Sequence, residues 1–242
     1  MYMTEKSSIK LFDENYKRIE EEICASAEKS GRKREDIILL AATKTVSTEV
    51  INHAINNGIK YIGENRVQEF LSKEADLSSL AHRHFIGHLQ SNKAKDIVGK
   101  VELIQSVHSE KLAKIIGDLS LKKNITTDIL LEVNIGEEEN KTGFSAENLE
   151  EAVYQISEMQ GVKVRGIMAI PPICEEKAKL MRFFEQMYKL FIDIRAKEID
   201  NINMDYLSMG MSGDFNEAIL CGSNIVRLGT ALFGQRDYNI KI

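Results

Sequence analysis

Residues 37–45 read IILLAATKT, a run of apolar side chains that ends in a lysine between two threonines. Its length and the turn signals on either side fit a strand buried on both faces, where side chains pointing either way meet protein rather than water. Such strands belong to parallel sheets, whose crossover connections cover both faces with helices. Upstream, Ile9, Phe12, Tyr16, Ile19, Ile23 and Ala27 recur at spacings of three and four, which predicts an amphipathic helix over 8–30. Downstream the two periods alternate. Strands are expected at 61–65, 82–89, 101–107, 127–135, 162–170, 204–212 and 224–234. Helices are expected at 49–57, 90–97, 109–122, 146–159, 176–198 and 213–221.

Strict alternation implies parallel neighbours joined by right-handed crossovers. Eight such units in 242 residues suit a (β/α)8 TIM barrel with an additional N-terminal helix, since about 250 residues is usual for that fold. A doubly wound open sheet is the competing α/β architecture, but no GxGxxG follows the first strand. No internal repeat or low-complexity tract divides the chain, so 1–242 is read as one domain.

Composition narrows the partners. Thirty-two Lys+Arg against 37 Asp+Glu give a net charge of −5, and no basic run is present, which argues against nucleic acid. No apolar stretch approaches the roughly 20 residues of a membrane helix, and the first thirty residues lack the apolar core of a secretory signal. Cys24, Cys174 and Cys221 form no CxxC pair and are expected as buried free thiols in a reducing cytoplasm.

In a parallel barrel the chemistry sits at the C-terminal ends of the strands. Those positions hold Lys44, Glu64, Asn65, His88, Gln90, Asn92, Asn134, Lys141, Ser208, Met209, Ser212, Arg227, Gly229 and Thr230. A lysine among apolar neighbours at a strand end is desolvated, which favours the neutral amine that attacks aldehydes. The alternative for Lys44 is a side chain that reaches solvent or pairs with Glu64. Ser212, Gly213 and Asp214 stand at the expected start of a helix, where free amides favour an anion. With Gly229 and Thr230 they suggest a phosphate site, so the barrel end points to a phosphate-bearing aldehyde; taken singly, each segment reads as an ordinary cap or tight turn. His82, His84 and His88 share strand parity, but no histidine follows His108 to complete a metal site, and His84 is expected to be hydrogen-bonded inside the barrel. Neither GxSxG nor a P-loop is present.

Seven blocks occur in order: ATKT (42–45), GENRVQE (63–69), HFIGHLQSNK (84–93), NIGEEENKTGF (134–144), GIMAIP (166–171), LSMGMSGDFNEAI (207–219) and VRLGTALFGQRDY (226–238). Together they closely resemble the YggS/PROSC family of pyridoxal phosphate homeostasis proteins, from about residue 10 to Tyr238, with His88 where many members have proline. The resemblance implies a barrel like the N-terminal domain of alanine racemase. It implies that Lys44 forms an internal imine with pyridoxal 5′-phosphate, that Ser212, Gly229 and Thr230 hold the phosphate, and that Arg227 faces the pyridine nitrogen. Asn65 and Met209 would line the ring, with Ile86 beneath it.

An arginine opposite the pyridine nitrogen keeps that nitrogen unprotonated, which weakens the ring as an electron sink. Racemases of this kind are also thought to draw a second acid/base from a further domain and a partner subunit, for which this chain has no room. The expectation is therefore a non-catalytic, monomeric, cytoplasmic cofactor-binding protein that buffers pyridoxal 5′-phosphate or delivers it to apo-enzymes. Lys141 is a candidate amine for assisting release, against the plainer reading of a solvated surface lysine. A weak amino-acid racemase or lyase using the same imine is the enzyme alternative, and a regulatory module read by a partner protein is a third.

Overall fold

The computed structural model describes residues 5–174 and 176–235. The last residues of the 226–238 block lie outside that range. A helix α1 (Glu5–Lys29) precedes eight strands: β1 (Ile38–Ala42), β2 (Tyr61–Glu64), β3 (His82–Phe85), β4 (Leu103–Val107), β5 (Thr127–Val133), β6 (Val162–Ala169), β7 (Ile202–Ser208) and β8 (Ile225–Leu228). They pair in parallel and in chain order, and β8 closes on β1, so the structure is a closed barrel rather than an open sheet. The connecting helices are α2 (Thr48–Asn56), α3 (Val67–Lys73), α4 (Glu110–Lys122), α5 (Leu149–Ser157), α6 (Lys177–Arg195) and α7 (Phe215–Leu220), with a short α8 (Thr230–Phe233) after the last strand.

Three departures from the sequence reading have local causes. Residues 224–234 are not one strand: Gly229 leaves the extended region at φ −117°, ψ −78°, and amides of Phe233 and Gly234 then bond back to Gly229 and Thr230. The segment near 90–97 is a 3-10 turn, Ser91–Asp96. The helix α3 was not anticipated at all, because seven residues are too few for a 3.6-residue period to show. The three cysteines are free but half-buried rather than buried, and burial pushes the Cys221 thiol up to about 11.

Outward-facing strand residues and the apolar stripes of the helices form the two large core clusters. On α1, Phe12, Ile19, Ile23 and Ala27 are fully buried, each large side chain contributing ~1.5–3 kcal/mol of apolar burial. That face packs on α2, α7 and α8, with Phe12 stacked on Phe233 at 5.6 Å between ring centres. Inward-facing residues fill the barrel: Leu40, Ala42, Ile86 and Ile225 in one cluster, Leu103, Leu130 and Met168 in another.

A polar chain crosses this apolar interior. Arg227 Nη1 donates to Ser208 Oγ (2.7 Å), Ser208 donates to Gln105 Oε1 (2.7 Å), and Gln105 Nε2 donates to His84 Nδ1 (2.9 Å). The last bond requires an imidazole lone pair, and burial holds His84 neutral with a pKa lowered to about 3. His84 is thus bonded within the barrel as the sequence suggested, while His82 pairs with Glu102 at its rim.

An unfolded histidine titrates near 6.5. Below that pH the unfolded chain takes up a proton that the folded protein refuses, so stability falls as the pH drops from about 6.5 towards 3. Thermal melts of wild type and His84→Gln at pH 7 and pH 4 test this. The acid-induced loss should be smaller in the variant, by up to ~3 kcal/mol at pH 4.

Candidate functional site

Closure places the ends of the first and last strands side by side, with Leu40 opposite Arg227 and Ala41 opposite Leu228. Above them lies a cavity of about 280 Å³ lined by Ala42, Lys44, Asn65, Ile86, Ile170, Met211, Ser212, Gly213, Arg227, Gly229 and Thr230. A larger cavity of about 650 Å³ lies elsewhere, near Arg32, Tyr188 and Asn224, against the N-terminal end of β8. The smaller one holds the chemistry. Six of the seven residues expected from the sequence line it, and Ile86 joins them. Met209 does not: Ser208 points inward to Arg227, so strand alternation turns Met209 outward, fully buried in the helix-facing core. Met211 lines the cavity instead, after Gly210 redirects the backbone at φ +95°.

Lys44 is half-buried and makes no hydrogen bond or ion pair with any described residue. The alternative pairing with Glu64 is not formed, because Glu64 bonds Lys73 at 3.0 Å. Opposite, Met211 O accepts from the amides of Asp214 and Phe215, and the Asp214 carboxylate accepts from Met211 N at 2.5 Å. The expected free helix end at 212–214 is therefore partly closed on itself. What remains open, among the described residues, are the amides of Ser212, Gly213 and Thr230. Ser212 Oγ accepts from the amides of Gly229 (3.2 Å) and Ala231 (3.0 Å), drawing the two phosphate-loop candidates together. A Cβ on Gly213 would meet nothing within 4 Å, so the loop is open on the cavity side.

The other walls are fixed. Gly87 allows the chain just after β3 to pass the Asn65 backbone, where a Cβ would lie 2.0 Å from the Asn65 carbonyl oxygen. Asn65 Oδ1 is buried without a partner among the described residues. Arg227 is 5% exposed and also donates through Nη2 to Ala169 O at 3.0 Å. Burial lowers its pKa to about 10, opposed by Asp214 and Glu132, so it stays cationic at neutral pH.

Glu132 escaped the sequence reading. It stands two residues after the inward-facing Leu130, so parity alone could have found it. Burial raises its carboxyl to about 7 against the fields of Arg227 and Lys141, and its Oε2 has no partner among the described residues. Lys141 pairs with Glu138 in the loop after β5, which the Asn134 side chain ties together through Glu138 O (2.9 Å) and Glu138 N (3.2 Å). Among the described residues no group of three His, Cys, Asp or Glu side chains could hold a metal ion, and no helix is long and apolar enough to cross a membrane. A free amine, an orphaned amide oxygen, a fixed guanidinium and a loop of unpaired amides and hydroxyls fit a small phosphate-bearing aromatic aldehyde.

The family model of the alanine racemase N-terminal domain matches residues 38–237. A pyridoxal phosphate homeostasis protein of Aquifex aeolicus is 44% identical over 226 residues, covering 93% of this chain and 98% of that protein. That of Escherichia coli K12 is 33% identical over 231 residues, covering 94% and 97%. The structure of PipY from Synechococcus elongatus PCC7942 with PLP bound superposes with a TM-score of 0.75 at 31% identity, over 82% of this chain and 93% of that one. With its closed parallel barrel and strand-end site, the chain belongs to the alanine racemase N-terminal domain family and, within it, to the pyridoxal phosphate homeostasis proteins.

Proposed function

We propose that this protein binds pyridoxal 5′-phosphate covalently through Lys44 and acts, without turnover, as an intracellular reservoir or donor of the cofactor. The observation that carries the reading is the unpartnered Lys44 side chain in the same cavity as the open amides and hydroxyls of Ser212, Gly213 and Thr230. PipY, a relative solved with PLP bound, supports the choice of ligand. Bound here, pyridoxal 5′-phosphate supplies an aldehyde that condenses reversibly with a primary amine.

The chain's own groups then have distinct tasks. Ser212, Gly229 and Thr230 hold the phosphate, and Asn65 and Ile86 flank the ring. Met209 acts from behind, packing the backbone that leads into Met211–Gly213. Arg227, a cation at neutral pH held by Ser208 and Ala169, would face the ring nitrogen and disfavour a proton there. That placement weakens carbanion chemistry and favours a carrier over an enzyme. In this reading 1–242 works as one domain, a monomer in the cytoplasm that loads PLP-dependent apo-enzymes, and the relatives named pyridoxal phosphate homeostasis proteins support the homeostasis role.

A second reading, a weak amino-acid racemase or lyase on the same site, has one observation behind it: Glu132, unpartnered at Oε2 and poised near pH 7 in the barrel interior, suits a general acid/base. Turnover of any amino acid that is lost in both Lys44→Ala and Glu132→Gln would decide for it.

Titrating the purified protein with pyridoxal 5′-phosphate should produce a saturable visible absorbance band that is absent in Lys44→Ala. No band in wild type removes the reading. Ser212→Ala and Thr230→Ala should each weaken binding about ten- to a hundredfold, the loss of a hydrogen bond to a charged group, with little effect on unphosphorylated pyridoxal. Finally, Lys141, ion-paired with Glu138 and outside the cavity lining, is a candidate amine for assisting release; in that role Lys141→Ala should slow transfer to an acceptor apo-enzyme, and an unchanged transfer rate assigns Lys141 to the Glu138 ion pair alone.

A further inference from the structure

Three charged side chains lie beside the cavity without lining it, and they are among the most buried in the protein. Glu64, Lys73 and Glu69 have side-chain exposures of 2%, 6% and 9%. Glu64 and Glu69 come from the GENRVQE block, and Lys73 ends α3, the helix the sequence reading did not resolve. Their bonds converge on Lys73 Nζ, whose three protons meet three acceptors: Thr43 O (2.9 Å), Glu64 Oε1 (3.0 Å) and Glu69 Oε1 (2.8 Å).

The same two carboxylates also reach the residues on either side of Lys44. Glu64 Oε1 accepts from the Thr43 hydroxyl at 2.6 Å, and Glu69 Oε1 accepts from the amide of Thr45. The carbonyl before Lys44 and the amide after it are therefore tied to one Lys73–Glu69 pair. They need tying. Thr45, a β-branched residue, sits at φ +62°, a left-handed conformation that such residues adopt only when their surroundings enforce it. For stability alone, well-packed apolar side chains would do as well as three buried charges. What the charges add is direction, because Lys73 fixes Thr43 O, Glu69 fixes Thr45 N, and Glu64 holds the Thr43 hydroxyl.

We infer that Glu64, Glu69 and Lys73 are positioning residues that clamp the backbone around Lys44 and aim its amine into the cavity. The inference rests on the cofactor reading above and concerns only the covalent step: attack of the amine on an aldehyde depends on approach geometry, whereas capture of the phosphate depends on Ser212, Gly229 and Thr230 on the other side of the cavity.

Pyridoxamine 5′-phosphate separates the two, since it carries the same ring and phosphate but no aldehyde. In Glu69→Ala the rate of band formation with pyridoxal 5′-phosphate should fall about tenfold or more, while pyridoxamine 5′-phosphate affinity stays within about twofold of wild type because no phosphate contact is touched. Glu69→Gln keeps an acceptor for both Thr45 N and Lys73 and should recover most of the rate. An unchanged rate in Glu69→Ala overturns the clamp. Equal losses for both ligands with a lowered melting temperature assign the trio to stability instead. If Glu69→Ala does not fold, the triple variant Glu64→Gln/Glu69→Gln/Lys73→Met, which strands no buried charge and releases Thr43 O, carries the same comparison. A wild type without any band overturns the cofactor reading itself, and is distinct from a wild-type band that the variants retain.

Discussion

The β1–β8 ladder is the contact on which everything else rests. Four successive pairs, from Ile38 with Ile225 to Ala41 with Leu228, join the first strand to the last and convert a sheet with two edges into a barrel with none. Nothing nearby in sequence prepares this pairing, so its loop-closure entropy must be met by long-range contacts. The helix α1 supplies many of them at the seam. It packs on α2 from the beginning of the barrel and on α7 and α8 from its end. Asn15 bonds Leu232 O, Ser26 bonds Asn216, and Arg32, just beyond the helix, donates to the carbonyls of Gly222 and Ser223. An N-terminal helix outside the eight-unit repeat is thus a brace across the closure.

The interior is a compromise between packing and polarity. Leucine, isoleucine and methionine fill most of it, yet Arg227, Ser208, Gln105 and His84 run through as a connected chain. Buried polar groups are tolerable when each has its partner, and these do. The return is a guanidinium held at the barrel mouth by two hydrogen bonds, with its charge maintained at neutral pH despite its burial. Neutral His84 is the far anchor of that arrangement, and so the acid sensitivity of the fold and the orientation of the site share one chain of bonds.

Two differently built walls face each other across the cavity. On one side the Lys44 turn is strained and clamped by buried charge; on the other, Met211–Gly213 and Gly229–Thr230 form an open cradle joined through Ser212 Oγ. In the proposed function one wall would offer a single amine for a covalent bond, the other a cradle for a diffuse anion. A carrier needs both, a phosphate grip that keeps the ligand and a reversible linkage that lets an amine take it away.

Much of this was legible along the chain. Apolar period reports burial, burial is a property of each element by itself, and the barrel architecture therefore follows from IILLAATKT and the alternation after it. Lys44, Asn65, Ser212, Arg227, Gly229 and Thr230 stand among the strand-end candidates that this architecture offers, and the family resemblance singled them out from the rest. Met209 could not be told from Met211, since the outcome hinges on Ser208 pointing inward and on Gly210 turning the chain. Parity could have turned Glu132 inward, but the pairing of Glu64 with Lys73 rather than Lys44 and the capture of Thr45 by Glu69 belong to the tertiary structure alone. Those are meetings between side chains of different elements, and their partners are set by the register and closure of the barrel, which no local period encodes.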